Sequence, residues 1–444
     1  MLKFLILLFV IAATGLNLQA QNEDEFMIGA DLSLVKKTLE YGGTYYVNNQ
    51  PVDVFDAFKD GQYNYVRLRL FHSPNGVGPV VNSLDYTIDL AKTAKAKGFK
   101  LLLDFHYSDT WADPGQQTKP LAWKDLDFST LSDSIYQYTK YVLNKFHAEG
   151  ITPDMVQTGN EIHHGFLWPE GKAWNNGQPN YKNFTTLLKS AIKGVHDSQD
   201  GSNIPVMLHA ATGGSYANSV GFIDSMEQYD VAFDLLGLSY YPCWHGTLAD
   251  LENNISLLSA KYNYNIVVVE TGYQGDGTPP DYCVLQDEEM PFPPTQQGQY
   301  DFLQALYKLL IEYEQVKGLF YWGGERIYAG DLGGSWSSLF QWQGNARKAI
   351  HAFETITSAN EYETPKNNLI IYNPGTNRIK IDYVLDEKMS YTLSIFDLMG
   401  RQLRRYEVNK NDPNIELDLR LSGIYVIRFS KNNRMIQSEK KYFN

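Results

Sequence analysis

The chain has 444 residues, of which 43 % are hydrophobic and 14 % aromatic, and its formal net charge is -13. Such an apolar composition can bury a large core, which argues against a disordered protein. The negative charge argues against a nucleic-acid partner, because those partners are bound through clustered lysine and arginine. With only 2 cysteines, no disulfide framework builds the fold.

Residues 1–20 are predicted to be a cleavable signal peptide. Lys3 precedes an apolar run over residues 4–15, and acidic residues follow the predicted cleavage site. The run is too short to span a bilayer, and no later stretch reaches the ~20 apolar residues that a spanning helix needs. We therefore expect an exported protein without a membrane span, located in the periplasm, at the cell surface or outside the cell.

From Phe26 to Phe353, short apolar runs alternate with longer helical patterns, which is typical of βαβ units and a parallel sheet. The predicted strands are 27–33, 63–71, 100–106, 155–161, 205–211, 233–241, 266–271 and 318–322. The predicted helices are 84–97, 130–150, 181–197, 248–262 and 297–315. Eight such alternations predict an α/β fold, a (β/α)8 TIM barrel, over residues 21–357.

The character of the sequence changes after Phe353. Residues 358–368 are polar, contain Pro365 and are predicted to be a linker. Six strand patterns separated by turn residues then predict a small all-β sandwich domain over residues 369–444. These patterns are 368–373, 379–385, 391–400, 415–420, 423–430 and 433–443.

Two predicted barrel strands end in a carboxylate, Glu161 on the fourth strand and Glu270 on the seventh. In such barrels the chemistry lies at the C-terminal ends of the strands. A lone glutamate there is more often half of a salt bridge. A facing pair is what glycosidic bond cleavage requires, since one carboxyl protonates the departing oxygen and the other attacks the anomeric carbon. The pair therefore favours a glycosidase, and an arginine such as Arg67 would hold the nucleophile ionised.

Other residue types at the strand ends leave alternatives open. Flat aromatic rings suit the apolar faces of sugars, although ordinary packing explains part of this set: Trp111, Trp168, Trp244, Trp322 and Trp336. His106 and His209, together with Asp104, could serve a metal-dependent barrel hydrolase, but no HExxH pair or Cys/His ligand spacing is present. The acidic residues after strand seven lack the regular oxygen spacing of a calcium loop. We expect no metal and no cofactor.

Four segments, at 101–123, 156–171, 237–248 and 267–273, resemble the endo-β-1,4-galactanases of glycoside hydrolase family 53. Among them, DFHYSDTWADP and GNE…LWP are specific motifs. The resemblance implies Glu161 as acid/base and Glu270 as nucleophile. It also implies these substrate-binding residues: Arg67, His106, Asp109, Trp111, Asn160, Tyr241 and Trp322. The implied substrate is the β-1,4-galactan of pectic type I arabinogalactan, cleaved internally with retention.

The chain departs from the family pattern in two places. Residues 209–213 read HAATG where members commonly read HLDNG, and residues 321–325 read YWGGE where they commonly read YWEP. Both departures touch subsites, and they keep a non-catalytic galactan-binding protein as an alternative. Residues 280–299 look more like the fungal loop than the calcium-bound bacillary one, which again predicts no metal.

The tail segments 391–405 and 422–430 resemble the C-terminal sorting domains of Bacteroidetes secreted proteins, and an accessory sandwich packed on the barrel is the alternative. The resemblance implies export. Cys243 and Cys283 could form one bridge in an oxidising compartment or remain two small apolar residues. We expect the protein to be a monomer.

Overall fold

A computed structural model describes residues 25–276 and 292–354, together with seven strand segments between residues 370 and 443. The predicted signal peptide and linker lie outside the described residues, as does the segment 277–291, which contains Cys283. No helix in the described ranges is long and apolar enough to cross a membrane.

Eight parallel strands form a closed barrel in which each strand pairs with the next along the chain and the last pairs with the first. They are β1 (Met27–Asp31), β2 (Tyr65–Leu70), β3 (Lys100–Phe105), β4 (Met155–Thr158), β5 (Val206–Ala210), β6 (Leu235–Tyr240), β7 (Asn265–Thr271) and β8 (Val316–Tyr321). The predicted TIM barrel is confirmed, and all eight predicted strands are present.

The barrel strands alternate with helices that cover its outside. They are α1 (Val35–Glu40), α2 (Val54–Asp60), α3 (Leu84–Ala96), α4 (Phe128–Ala148), α5 (Tyr181–His196), α6 (Tyr216–Gln228), α7 (Pro242–His245), α8 (Leu248–Lys261) and α9 (Gln296–Leu310). The five predicted helices are α3, α4, α5, α8 and α9. The four others are short or, like α6, carry a weak apolar stripe, so periodicity did not reveal them.

The barrel lumen is divided into an apolar lower part and a polar upper part. Apolar side chains from all eight strands close the lower part: Met27, Tyr65, Leu102, Met155, Met207, Leu235, Val267, Val269 and Phe320. The Phe320 ring lies where a side chain at Gly29 would be, since a Cβ there would come within 2.1 Å of it. This plug keeps water out from below, so the polar side chains gather at the carboxyl ends of the strands.

The tail consists of two antiparallel sheets, which confirms the predicted small all-β domain. The strands are β9 (Ile370–Asn373), β10 (Arg378–Ile381), β11 (Tyr391–Phe396), β12 (Gln402–Glu407), β13 (Asn414–Glu416), β14 (Gly423–Lys431) and β15 (Arg434–Phe443). One sheet has the order β9-β10-β13 and the other β12-β11-β14-β15. Strand β12 was not predicted, because it is an edge strand with few apolar residues and exposed Arg404 and Arg405.

Candidate active site

A cleft of about 660 Å³ opens at the carboxyl ends of the barrel strands. Eight of the nine predicted site residues line it: Arg67, His106, Trp111, Asn160, Glu161, Tyr241, Glu270 and Trp322. The barrel therefore brings together residues that lie more than 200 positions apart in the sequence, because the ends of parallel strands meet on one face.

Glu270 lies at the end of β7 in contact with a cation and a phenol. Its Oε1 is 2.7 Å from Nη1 of Arg67, and its Oε2 accepts a hydrogen bond of 3.1 Å from the Tyr241 hydroxyl. Only 6 % of the Glu270 residue surface is exposed. Both carboxylate oxygens are thus held in place, with charge and hydrogen bonds that favour the ionised form.

Arg67 makes contacts with several polar side chains at the base of the cleft. Its guanidinium also contacts Oδ2 of Asp104 at 2.9 Å, Oδ1 of Asn160 at 2.8 Å and Oδ2 of Asp31 at 3.6 Å. A buried arginine needs carboxylate partners, and Arg67 has three, with Glu270 as the third. The network fixes Asn160 beside Glu161 and leaves the Arg67 charge shared among three acids.

Glu161 follows the end of β4 in an unusual backbone conformation. Gly159 has φ 96° and Glu161 has φ 52°, so the chain turns out of the strand in the left-handed region. The turn presents the Glu161 side chain to the cleft, where Oε1 accepts a 2.7 Å hydrogen bond from the Ser239 hydroxyl. No cation touches this carboxyl among the described residues, in contrast to Glu270.

A histidine supports this arrangement from behind. His209 Nδ1 accepts the backbone N–H of Glu161 at 3.3 Å, and its Nε2 lies 2.8 Å from the Ser239 oxygen. Burial and the charge of Arg67 hold the pKa of His209 well below its usual range. The neutral ring therefore accepts at Nδ1 and donates from Nε2 to the Ser239 oxygen, which leaves the Ser239 hydroxyl to donate its hydrogen bond to Glu161.

The two carboxyls differ in their acidity because their neighbours differ. Burial raises the pKa of Glu161, and the charge of Glu270 adds to it, so that the pKa reaches about 8. Burial also raises the pKa of Glu270, but there the Arg67 guanidinium opposes the increase. Glu161 is consequently the carboxyl that holds a proton at neutral pH, and Glu270 is the one that ionises first.

Aromatic side chains form the walls of the cleft. The rings of Trp111 and Trp322 meet edge to face with centroids 6.3 Å apart, and Trp111 is also packed on the guanidinium of Arg69 at 4.4 Å. Trp244 and Trp336 line the cleft as well, whereas Trp168 is not among its lining residues in the described part of the chain. Four of the five tryptophans thus line the cleft.

Asp109 is the one predicted site residue that does not line the cleft. Its two carboxylate oxygens accept the backbone N–H groups of Ser73 and Leu121, at 3.0 and 2.8 Å. It therefore links two loops through their backbones. The resemblance implied Asp109 as a substrate-binding residue, and the structure shows both of its carboxylate oxygens bonded to backbone N–H groups.

Sequence reasoning missed Ser239 and Gln157. Gln157 donates to Asp104 Oδ1 at 2.7 Å and contacts His209 Nδ1 at 3.1 Å. It therefore connects the hydrogen bonds around Asp104 with those around His209. Each is a polar residue inside an otherwise apolar buried strand, which is the signal that could have found them.

The residues considered for a metal are engaged otherwise. His106 Nδ1 accepts the N–H of Ala112 at 3.0 Å and its Nε2 lies 3.1 Å from Asp104 Oδ2. Within residues 25–276 and 292–354 and the tail strands, no group of three or more His, Cys, Asp or Glu side chains could hold a metal ion. Cys243 is disulfide-bonded, and Cys283 lies outside the described residues.

The departures on strands five and eight have different surroundings. In the HAATG segment His209 belongs to the hydrogen-bonded network, and Ala211 and Thr212 line a second chamber next to the cleft. Glu325 of the YWGGE segment is fully buried, and its Oε1 accepts the N–H of Leu34 at 3.2 Å. Glu325 is thus not a cleft residue but a buried support between β8 and β1.

Comparison with known proteins agrees with this geometry. The model of glycosyl hydrolase family 53 matches residues 27–354. An endo-beta-1,4-galactanase of Bacillus subtilis is 34% identical over 331 residues, covering 71% of this chain and 72% of its own. A probable arabinogalactan endo-beta-1,4-galactanase A of Neosartorya fischeri is 34% identical over 340 residues, covering 74% and 93%. The solved GH53 catalytic domain of Ignisphaera aggregans is 34% identical, with a TM-score of 0.69 over 76% of this chain and 98% of that one.

The tail also has a match. The model of the secretion system C-terminal sorting domain covers residues 370–442, which confirms the resemblance found in the tail and the prediction of an exported protein. The barrel match spans well over half of the 444 residues. The chain belongs to glycosyl hydrolase family 53.

Proposed function

We propose that the chain is a retaining endo-β-1,4-galactanase, with Glu161 as acid/base and Glu270 as nucleophile, that acts on pectic galactan. The observation that carries this proposal is the contrast between the surroundings of two carboxyls in one cleft. One is held ionised by Arg67 and the other keeps its proton, with a pKa of about 8. The relatives named as galactanases support the choice of substrate.

The first step forms a covalent glycosyl-enzyme. The Glu270 carboxylate attacks the anomeric carbon, the bond from that carbon to the glycosidic oxygen breaks, and the Glu161 proton goes to the departing oxygen. Since Glu161 Oε1 accepts from Ser239, the proton resides on Oε2. In the second step Glu161, now a carboxylate, takes a proton from water, and that water displaces Glu270 from the sugar.

Asn160 and Tyr241 position the reacting sugar in this proposal. Asn160 is fixed by Arg67 through its Oδ1 and donates from Nδ2 to the Ala112 carbonyl at 2.8 Å, so its place in the cleft is rigid. The Tyr241 hydroxyl holds Glu270 before attack. His106, Trp111 and Trp322 line the same space and supply contacts to the sugar hydroxyls and ring faces.

Cleavage within a chain needs a groove that continues on both sides of the scissile bond. A second chamber of about 630 Å³ adjoins the cleft and shares Asp113, Glu161 and Trp244 with it. Glu161 thus stands between two spaces, one that contains Glu270 and one that does not. This arrangement favours an endo-acting enzyme over one that removes terminal sugars from a blind pocket.

Incubation of the purified protein with linear β-1,4-galactan tests the proposal. We expect new reducing ends and a mixture of intermediate oligosaccharides, with no activity on a β-1,4-glucan of similar length. The same rate after exhaustive chelation is expected, and loss of activity on chelation would favour a metal-dependent hydrolase. Binding of galactan without release of reducing ends would instead favour a non-catalytic binding protein.

We further propose the division of the chain into a signal peptide (1–20), a catalytic barrel (21–357), a linker (358–368) and a tail domain (369–444). The change from barrel helices to antiparallel sheets supports the last boundary. A monomer stays a prediction, which light scattering of the purified protein tests.

A further inference from the structure

The two chambers indicate in which direction the substrate chain lies in the cleft. Glu161 lines both, whereas Glu270 lines only the cleft proper. Under the proposed function the attacked sugar lies with Glu270, and the departing chain leaves past Glu161 into the second chamber. Arg326, Gly334 and Trp336, from the segment after β8, line the cleft but not the second chamber, so we assign this side of the cleft to the non-reducing end of the substrate.

Two exposed aromatic residues extend this end of the cleft. Trp342 is 49% exposed and Tyr328 is 67% exposed, and the N–H of Tyr328 donates to the Trp342 carbonyl at 3.0 Å. We call these two residues the rim aromatics. Neither belongs to the family motifs of the sequence, and neither lines the cleft itself.

Gly334 connects the rim aromatics to the cleft. It lines the cleft, and a Cβ at this position would lie only 2.9 to 3.2 Å from three atoms of the Trp342 indole. One side of the indole thus packs directly on the Gly334 backbone, and about half of the residue stays open to solvent. The open ring surface begins where the cleft lining ends.

We propose that Trp342, with Tyr328 beside it, is an additional binding platform for galactan that runs beyond the cleft at its non-reducing end. The inference rests on the proposed function. A flat ring with an open side and no charge suits the apolar face of a neutral sugar. Continuity with the cleft through Gly334 identifies the occupant as the same polysaccharide strand, since that strand must leave the cleft at this end.

The segment after β8 is also where the sequence departs from the family, with Gly323 and Gly324 in place of the usual residues. Gly323 has φ 63°, a conformation that other residues rarely adopt. A Cβ at Gly324 would lie 3.0 Å from the Leu339 side chain. Both glycines belong to the segment that carries the rim aromatics.

A ladder of β-1,4-galacto-oligosaccharides, from trimer to octamer, tests the platform. For Trp342→Ala we expect kcat/KM on the octamer and on polymer to fall roughly 3- to 10-fold, the size of one aromatic stacking contact, with no change on the trimer. Tyr328→Ala should lose less in the same direction. Trp174→Ala is the matched control, because Trp174 is 53% exposed on a hairpin outside the cleft, and it should match the wild type at every length.

Equal kcat/KM for Trp342→Ala and wild type at every length would overturn the inference, and so would an equal loss at every length, which indicates a purely structural role. If the wild type cleaves no oligosaccharide, the proposed function fails on its own. Calorimetric affinity of Trp342→Ala for the octamer still decides the inference in that case, since the platform predicts weaker binding than wild type.

Discussion

The two sides of the cleft each contain a glutamate, but one glutamate lies among charged groups and the other among neutral ones. On the β7 side, Glu270 lies among charges, with Arg67 at 2.7 Å and Asp31 and Asp104 sharing that cation. On the β4 side, Glu161 lies among neutral groups, with Ser239 and His209 in line behind it. The comparison teaches that burial makes both carboxyls weak acids, and that the position of one arginine decides which of them loses its proton first.

Removal of the nucleophile is the largest change that the comparison predicts. Glu270→Gln keeps the shape and the hydrogen bond from Tyr241 but cannot attack the anomeric carbon, so galactan cleavage should fall by roughly 10⁴-fold or more. Initial rates of reducing-end release measure it. Glu227→Gln, an exposed glutamate on α6, is the control and should retain wild-type rates. Appreciable activity of Glu270→Gln would refute the nucleophile assignment.

Arg67→Lys weakens the charged side alone. A lysine keeps one charge but cannot reproduce the forked contacts with Asp104, Asn160 and Glu270, so the pKa of Glu270 should rise further. We expect activity to fall by roughly 100-fold and the acid limb of the kcat/KM profile to move to higher pH. An unmoved acid limb in a folded variant would show that Arg67 does not set the ionisation of the nucleophile.

Ser239→Ala weakens the neutral side alone. The serine hydrogen bond favours the ionised form of Glu161, so its loss should raise the pKa of Glu161 above about 8. The basic limb of the profile, where the acid loses its proton, should then move to higher pH by roughly one unit or less, with a rate loss below about tenfold. A shift of this limb to lower pH would contradict the assignment of the limb to Glu161.

Glu325 is a third glutamate with a raised pKa, and it lies outside the cleft. Burial raises its pKa to about 7, yet the carboxyl faces Leu34 and not the substrate. Because the folded state keeps this proton longer than the unfolded state, stability is lost as pH rises from about 4.5 to about 7. Glu325→Gln removes that loss, so its melting temperature should gain on the wild type across this window and no further above it. Unchanged galactanase activity is the expected control result.

Much of the barrel could be predicted from periodicity, because most of its strands are apolar runs that end in polar residues. Glu161 and Glu270 stand out for that reason. Helix α6 and the edge strand β12 could not be predicted, since the first has a weak apolar stripe and the second is largely exposed. Their positions are fixed by neighbours that are distant in sequence.

The site was predictable in its residue types but not in its hydrogen bonds. The motif around Asp109 is recognisable, yet only the fold reveals that its carboxylate braces two backbone segments. In the same way, the hydrogen bonds of Ser239 with Glu161 and His209 become visible only when β6 is placed next to β5 and β7. Contacts across the barrel depend on strand order and register, which one sequence does not specify locally.

Covalent trapping tests the division of labour between the two carboxyls most directly. A galactoside with fluorine at position 2 and a good leaving group should form a slowly hydrolysed glycosyl-enzyme in a retaining mechanism. Peptide mass spectrometry of the trapped protein should find the sugar on Glu270. A sugar attached to Glu161, or turnover without any covalent adduct, would contradict the account.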